Sequence, residues 1–344
     1  MRFGSIVRIG AAFAALMMVS TLASAQGAAK KKATIAVSGP PAQIYFLPVV
    51  LAKYLGYFDD AGVDVELQHF NSGSRALQAV VGGSADIVAG AYENTVRMQA
   101  KGQTMQSFVL FGRYPQNVLG IAKADAASYK SPADLKGKKV GITGPGSATQ
   151  TFLNLILASA GLQPSDVTTI AVGAGATAVA GMKRSGELNA ISNLDLAITE
   201  LSMSGDITVV VDSRTEAGTK AVYGGDYASG SLYAPADFVT KNPETAQAIA
   251  NAMVRTLKWM AAAKPEDIVA KVPADFYKAN PAVYRQALLN NLSSFTPNGL
   301  MPAQAPANVL KAMVKFDPEI AAAKIDVAAT YTNAFTEKAL TTVK

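Results

Sequence analysis

The chain contains no cysteine and a single histidine among its 344 residues. With no thiol there is no disulfide framework, no thiolate metal site and no cysteine nucleophile. A lone histidine, His69, follows a predicted strand and reads as a surface or hydrogen-bonded residue. The chain is also poor in charge: 16% of its residues are Asp, Glu, Lys or Arg, and it has one tryptophan. The net charge is +6. Apart from Lys30-Lys31-Lys32 the basic residues are scattered, so the basic stripe that nucleic-acid binding requires is missing. After residue 25, no segment reaches the roughly 18 consecutive apolar residues of a spanning helix. The nucleophile elbow G-x-S-x-G and the zinc motif H-E-x-x-H are both absent.

What is present begins with a three-part export signal. Arg2 and Arg8 form a positive start, Ala11 to Leu22 is almost unbroken apolar sequence, and Ala23-Ser24-Ala25 supplies a small-x-small cleavage site. Residues 1–25 are therefore expected to be removed. Without cysteine, lipid attachment through an N-terminal Cys is excluded. An exported chain without that anchor would diffuse away unless an outer membrane retained it, so the expected location is the periplasm. Half of the residues are apolar, and the remaining length suits two lobes, each with its own core.

Residues 33–215 alternate short β-rich runs with helical periods. Strands are predicted at Ala33 to Val37, Val63 to Leu67, Asp86 to Ala89, Lys139 to Thr143, Val167 to Val172, Leu188 to Ser192 and Ile207 to Val211. Between them, helical spacing runs from Leu47 to Phe58, from Ser74 to Val81, and over 93–100, 148–160 and 177–184. Ser131, followed by Pro132, is a predicted cap, as is Asn242 before Pro243. The region beyond 242 reads as helical, including 282–292, 306–313 and 327–338. Strand–helix alternation implies a mainly parallel sheet covered on both faces. The segment Gly83-Ser84-Ala85-Asp86-Ile87 is faintly echoed by Gly186-Glu187-Leu188-Asn189-Ala190-Ile191. In both places a helix precedes and a polar loop follows, which suggests two similar units.

Four segments carry a resemblance. They are Leu51-Ala52-Lys53-Tyr54-Leu55-Gly56-Tyr57-Phe58-Asp59-Asp60-Ala61-Gly62-Val63-Asp64-Val65-Glu66, then Gly73-Ser74-Arg75-Ala76-Leu77-Gln78-Ala79-Val80, then Gly83-Ser84-Ala85-Asp86-Ile87-Val88, and last Asp134-Leu135-Lys136-Gly137-Lys138-Lys139-Val140-Gly141-Ile142. In order and spacing the sequence resembles the nitrate-, sulfonate- and taurine-binding periplasmic receptors, which include receptors for a thiamine pyrimidine precursor. The resemblance implies a bilobal α/β periplasmic binding protein fold, with two lobes joined by two crossing segments and a helical C-terminal region. It places the crossings near Arg113 to Val118 and near Tyr223 to Ser231. Lobe 1 is then 33–117 with 225–344, and lobe 2 is 118–224. It further implies a monomer that holds a small molecule in the cleft and meets an ABC permease transiently, with no cofactor. Pyrimidine-making enzymes of similar fold depend on cysteine and histidine residues that this chain lacks.

Candidate ligand contacts follow from loops that open helices, where unpaired N–H groups and a positive dipole end collect. In lobe 1 these are Gln43, Ser72, Gly73 and Ser74, with Arg75 as a counter-charge. Gly146, Ser147 and Thr149, within the loop from Gly144, occupy the position taken to match Ser72 in lobe 2. Ser147 stands where a P-loop needs Lys, so this is not a nucleotide loop. Tyr45, Tyr92 and Tyr114 offer apolar walls with polar tips. Asn193 and Asp195 follow a lobe 2 strand and serve either a ligand or the next helix. Asp226, in the second crossing, is expected to be structural. The main rival is an enzyme: Gly173-Ala174-Gly175-Ala176-Thr177-Ala178 fits G-x-G-x-x-A, and Asp195 lies about 20 positions on. An exported chain is cut off from the cytoplasmic cofactor pool, which favours a binding protein. The expected ligand is a small organic anion such as a sulfonate or carboxylate, the alternative being a neutral or aromatic nitrogen heterocycle. A receptor feeding a membrane sensor has the same requirements.

Overall fold

A computed structural model of the chain describes residues 30–184 and 186–343. The expected export signal lies outside the described residues. Ten strands form two five-stranded sheets. They are β1 (Lys31–Val37), β2 (Val63–His69), β3 (Ile87–Ala91), β4 (Met105–Leu110), β5 (Val118–Ala122), β6 (Lys139–Ile142), β7 (Thr168–Ala171), β8 (Ala190–Asn193), β9 (Ile207–Asp212) and β10 (Gly230–Pro235). The first sheet runs β2-β1-β3-β10-β4 and the second β7-β6-β8-β5-β9.

The two orders are the same order. In the first sheet only β10 is antiparallel to its neighbours, and in the second only β5. Each of these strands has crossed from the other lobe, so each sheet is mostly parallel with one reversed strand beside its edge. The parallel pairs need crossover helices: Leu47–Tyr54, Gly73–Val81 and Glu93–Ala100 in lobe 1, and Ala148–Ser159, Ala176–Lys183 and Ala197–Met203 in lobe 2. Helices on both faces explain why the middle strands β3 and β8 are buried along their length, whereas the edge strand β2 alternates. In β3, four of the five residues are buried, and in β8 all four are.

The sequence echo falls on β3 and β8, which are equivalent strands. Asp86 and Asn189, just before them, do the same work. The Asp86 carboxylate accepts from Thr34 N in β1 at 2.8 Å, and the Asn189 amide oxygen accepts from Lys139 N in β6 at 2.9 Å.

The chain passes between lobes through 111–117 and returns through 224–229. The two passages are tied together: Phe111 N and Gly112 N both donate to Gly230 O, and Ser229 N donates to Gly112 O. A Cβ at Gly230 would lie 2.2 Å from the Phe111 ring, so only glycine fits there. The segment expected as hinge up to Ser231 is in fact already strand from Gly230.

The C-terminal region does not belong to lobe 1 alone. The long helix Pro243–Ala262 packs beside Leu47–Tyr54 and Ala334–Thr342, whereas Pro281–Asn291 packs against Ala197–Met203 of lobe 2. The helix expected over 327–338 is split into a 3-10 turn, Val327–Thr330, and the helix Ala334–Thr342. Asn333 separates them, with its side chain bonded to both Met301 N and Met301 O. No helix among the described residues is long and apolar enough to cross a membrane.

Candidate functional site

In an open α/β sheet, a ligand sits beyond the carboxyl ends of the strands where the strand order reverses. Here the reversal lies between β1 and β3 in lobe 1 and between β6 and β8 in lobe 2. The two reversal points face each other. A Cβ added to Gly144 would sit 3.1 Å from both Cβ and Oγ of Ser72. Gly146 faces Ser74 and Gly175 faces Pro40 at van der Waals distance. Arg97, on the helix after β3, donates to Gly146 O and to Thr151 Oγ1, both at 3.2 Å. The lobes are closed on one another.

The topology corrects one equivalence. Gly144 to Thr149 follows β6 and therefore corresponds to the loop after β1, which holds Gln43. The lobe 2 counterpart of Ser72 is the Gly173–Gly175 loop. Ser72 and Gly144 meet because they oppose each other across the cleft.

On the lobe 1 side, Gln43 is 4% exposed and packs against Gly39. Tyr45 is buried and its hydroxyl shares a 2.8 Å hydrogen bond with Ser229 Oγ on the return passage. Its ring makes edge contacts with Phe46 and Phe111, and burial raises its hydroxyl pKa. Ser72 and Ser74 bond to each other at 3.1 Å at the start of Gly73–Val81. His69 donates from Nδ1 to Gly39 O at 2.9 Å and so pins the loop after β1.

On the lobe 2 side, Ser147 is buried, and its Oγ meets Thr149 Oγ1 at 2.9 Å. Thr149 Oγ1 also accepts from Thr143 N. Thr149 thus holds the loop that Ser147 presents.

Five sequence candidates stand elsewhere or are otherwise engaged. Tyr92 is fully buried, with its hydroxyl bonded to Thr330 of the C-terminal region and its pKa pushed up to about 12 by burial. It faces the core. Tyr114 lies on the outer side of the first passage, 3.5 Å from Glu216 and under the Arg113 guanidinium. Arg75 is exposed on its helix. Asn193 spends its amide on Gly173 O and its oxygen on Leu194 N, so it shapes a loop. The Asp195 carboxylate is taken by Arg214 at 3.0 Å, Asn291 at 2.6 Å and Thr199 N at 2.8 Å. The Asn291 bond joins this buried ion pair of lobe 2 to the C-terminal helix Pro281–Asn291, and no oxygen is left for a solute. The dinucleotide-like Gly173–Ala178 stretch is the ordinary turn into Ala176–Lys183, with Gly173 and Gly175 at positive φ.

Glu93 lies in the polar loop that the sequence places after β3, but not among the candidate contacts. It opens the helix after β3 and is 2% exposed. Tyr227 of the return passage donates to its Oε2 at 2.9 Å. Its Oε1 receives no hydrogen bond among the described residues. Burial drives the Glu93 pKa up, while the Arg97 guanidinium and the Thr151 and Tyr227 hydroxyls pull it back. Around it stand Tyr45, Tyr223, Tyr227 and Tyr233, with the Tyr223 and Tyr227 rings 4.1 Å apart.

Two α/β lobes closing at opposed strand-order reversals define the periplasmic-binding-protein fold. A solved structure of an alkanesulfonate-binding protein from Xanthomonas axonopodis pv. citri, bound to MOPS, shares it at TM-score 0.70 and 18% identity, over 89% of this chain and 100% of that one. A solved structure from Bordetella bronchiseptica RB50 is far nearer, 46% identical with TM-score 0.87, over 91% of this chain and 98% of that one. The chain belongs to the NMT1/THI5-like family, whose model matches residues 43–268. Among curated proteins it is similar to the 4-amino-5-hydroxymethyl-2-methylpyrimidine phosphate synthase of Schizosaccharomyces pombe, at 28% identity over 129 residues. That match covers 38% of this chain and 36% of the relative.

Proposed function

We propose that the protein is an extracytoplasmic solute receptor that captures a small molecule between its lobes and hands it to an ABC importer. The observation that carries this reading is the apposition of Ser72 and Gly144, which brings two strand-order reversals together around buried polar side chains. A ligand that touches both walls only in the closed form shifts an open–closed equilibrium by that differential contact. The tied passages at Gly112 and Gly230 supply the hinge, and the permease reads the closed form. The expected export signal places the receptor in the periplasm, and alkanesulfonate binding by the Xanthomonas relative of like fold agrees with such a role. The ligand-lining set is Gln43, Tyr45, Ser72, Gly73 and Ser74 from lobe 1, with Gly146 and Ser147 from lobe 2.

Two ligand chemistries are served. The helix starts at Gly73 and Ala148 suit an anionic group, the sequence-based expectation. The Glu93 carboxylate favours the nitrogen-bearing alternative. The naming of the S. pombe relative for an aminopyrimidine phosphate agrees with the second.

The test is thermal unfolding of the exported chain against sulfonates, nitrate, aromatic acids and nitrogen heterocycles. Mass spectrometry of the denatured protein's extract accompanies it. A ligand at 100 times its dissociation constant adds about 2.7 kcal/mol, which raises the midpoint by several degrees. A hit, or a small molecule in the extract, supports the receptor. A flat panel with an empty extract contradicts it.

A further inference from the structure

Orphaned polar atoms gather at the lobe 1 reversal point. Glu93 Oε1, Gln43 Oε1, Ser38 Oγ and Ser231 Oγ are all buried without a hydrogen-bond partner. Two of them meet at Gly90, where Ser231 is the strand partner and Ser38 Oγ lies alongside. A Cβ at Gly90 would lie 2.9 Å from Ser38 Oγ and 3.0 Å from the Tyr233 hydroxyl, and Asn94 Nδ2 donates to that hydroxyl at 3.0 Å. Glu93 is the residue next to Asn94, and its Oε2 accepts from the Tyr227 hydroxyl at 2.9 Å. A buried polar atom left unpaired costs about 1–3 kcal/mol, and more when charged. Several in one place are explained when a ligand completes them.

The kind of ligand follows from the kind of atom. A carboxylate oxygen accepts and does not donate when ionised. The neighbouring cation, Arg97, is committed to Gly146 O and Thr151 Oγ1 across the cleft, and Arg75 is exposed on its helix. The wall therefore offers unpaired oxygens as acceptors, beside tyrosine rings that suit a flat or cationic group.

We propose that Glu93 anchors a nitrogen-borne hydrogen-bond donor of the solute, an amine, amidine or ring-amino group, held against Tyr45, Tyr227 and Tyr233. This rests on the receptor reading and makes the ligand's donor pole its selected feature. Arg97 then has two tasks. It holds Thr151 and Gly146 of lobe 2 against the site, and its charge opposes the upward pKa shift that burial gives the Glu93 carboxyl.

The experiment uses matched probes that share a skeleton and differ in the donor: benzamidine against benzoate, 4-aminopyridine against pyridine, and taurine against ethanesulfonate. Midpoint shifts are recorded with the wild-type chain and with Glu93→Gln. The same analysis covers any compound recovered from the denatured protein. The expected result is that only donor-bearing members, or a recovered compound with N–H groups, bind. Glu93→Gln should weaken that binding on the order of 100-fold, in line with the loss of a hydrogen bond to a charged group, while unfolding cooperatively when unliganded. Binding should also weaken in acid as Glu93 protonates. Binding by the members without a donor, or binding untouched by Glu93→Gln, overturns the assignment of Glu93 and leaves the receptor standing. No binding by any probe together with an empty extract overturns both.

Discussion

Glu93 and Asp195 occupy the same place in two copies of one plan. Each lies two residues beyond the middle strand of its sheet, β3 or β8, at a strand-order reversal, and each is buried. Asp195 is fully consumed: Arg214, Asn291 and Thr199 N take its oxygens. Glu93 keeps one oxygen without a partner and has only hydroxyls and a shared guanidinium for support. One lobe has turned its carboxylate into a structural weld and the other has left it unfinished. Burial of a charge is tolerated when partners surround it. The unfinished one marks where something else is meant to arrive.

The comparison can be broken from the Asp195 side first, where the largest effect is expected. Asp195→Ala leaves Arg214 with Asp212 as its one carboxylate and strips the buried Asn291 amide and Thr199 N of their acceptor, and each buried donor left unpaired costs about 1–3 kcal/mol. Chemical denaturation should show that loss, whereas Glu93→Gln should leave the unliganded chain as stable as wild type or more so. Gly144→Val tests the cleft itself. Its side chain meets Ser72 from the opposite lobe, and overpacking of this kind costs about 1–3 kcal/mol. Because the clash exists only when the lobes are closed, ligand affinity should fall on the order of 10- to 100-fold with unchanged unfolding of the unliganded chain.

The pH dependence sharpens the same contrast. The folded-state pKa of Glu93 is raised by burial. Its contribution to stability is therefore fully present below the unfolded-state value and is lost as pH rises through the folded-state value. The difference in midpoint between Glu93→Gln and wild type should widen in favour of the variant over that rise, and vanish in acid. The smallest effects belong to the shared scaffold. Asp86→Ala removes one hydrogen bond to Thr34 N, worth about 1 kcal/mol. Asn189→Ala should cost somewhat more, because its amide also donates to Asp125 at 3.1 Å.

Much of the scaffold was legible because parallel strands and their crossover helices punctuate the sequence with glycine and helix-start signals. The helix over 93–100 has the bounds its spacing predicts, and Ala148–Ser159 differs by one residue. The strands β4, β5 and β10 escaped notice. They flank the passages between lobes, and Gly224 to Ser231 carries so much glycine and serine that turn chemistry hides the strand that follows.

The site was less legible, for reasons of phase and partnership. Tyr92 and Glu93 are neighbours and both are buried, and one residue of phase decides which meets Thr330 and which meets Tyr227. An acidic residue in the first turn of a helix is also an ordinary dipole match, so Glu93 sends no signal until its burial is seen. The fate of Asp195 depends on Arg214 and Asn291, which no periodicity connects to it.

The most direct test of capture by closure exploits the absence of cysteine. Cysteines introduced at the exposed positions Arg75 and Ala180, on helices flanking the cleft from either lobe, accept spin labels without competition. Dipolar distances are then measured with and without the compound that binds. Capture by closure predicts a broad or longer distribution without ligand that collapses to one shorter distance at saturation. An identical distribution in both samples, with the ligand demonstrably bound, would contradict it.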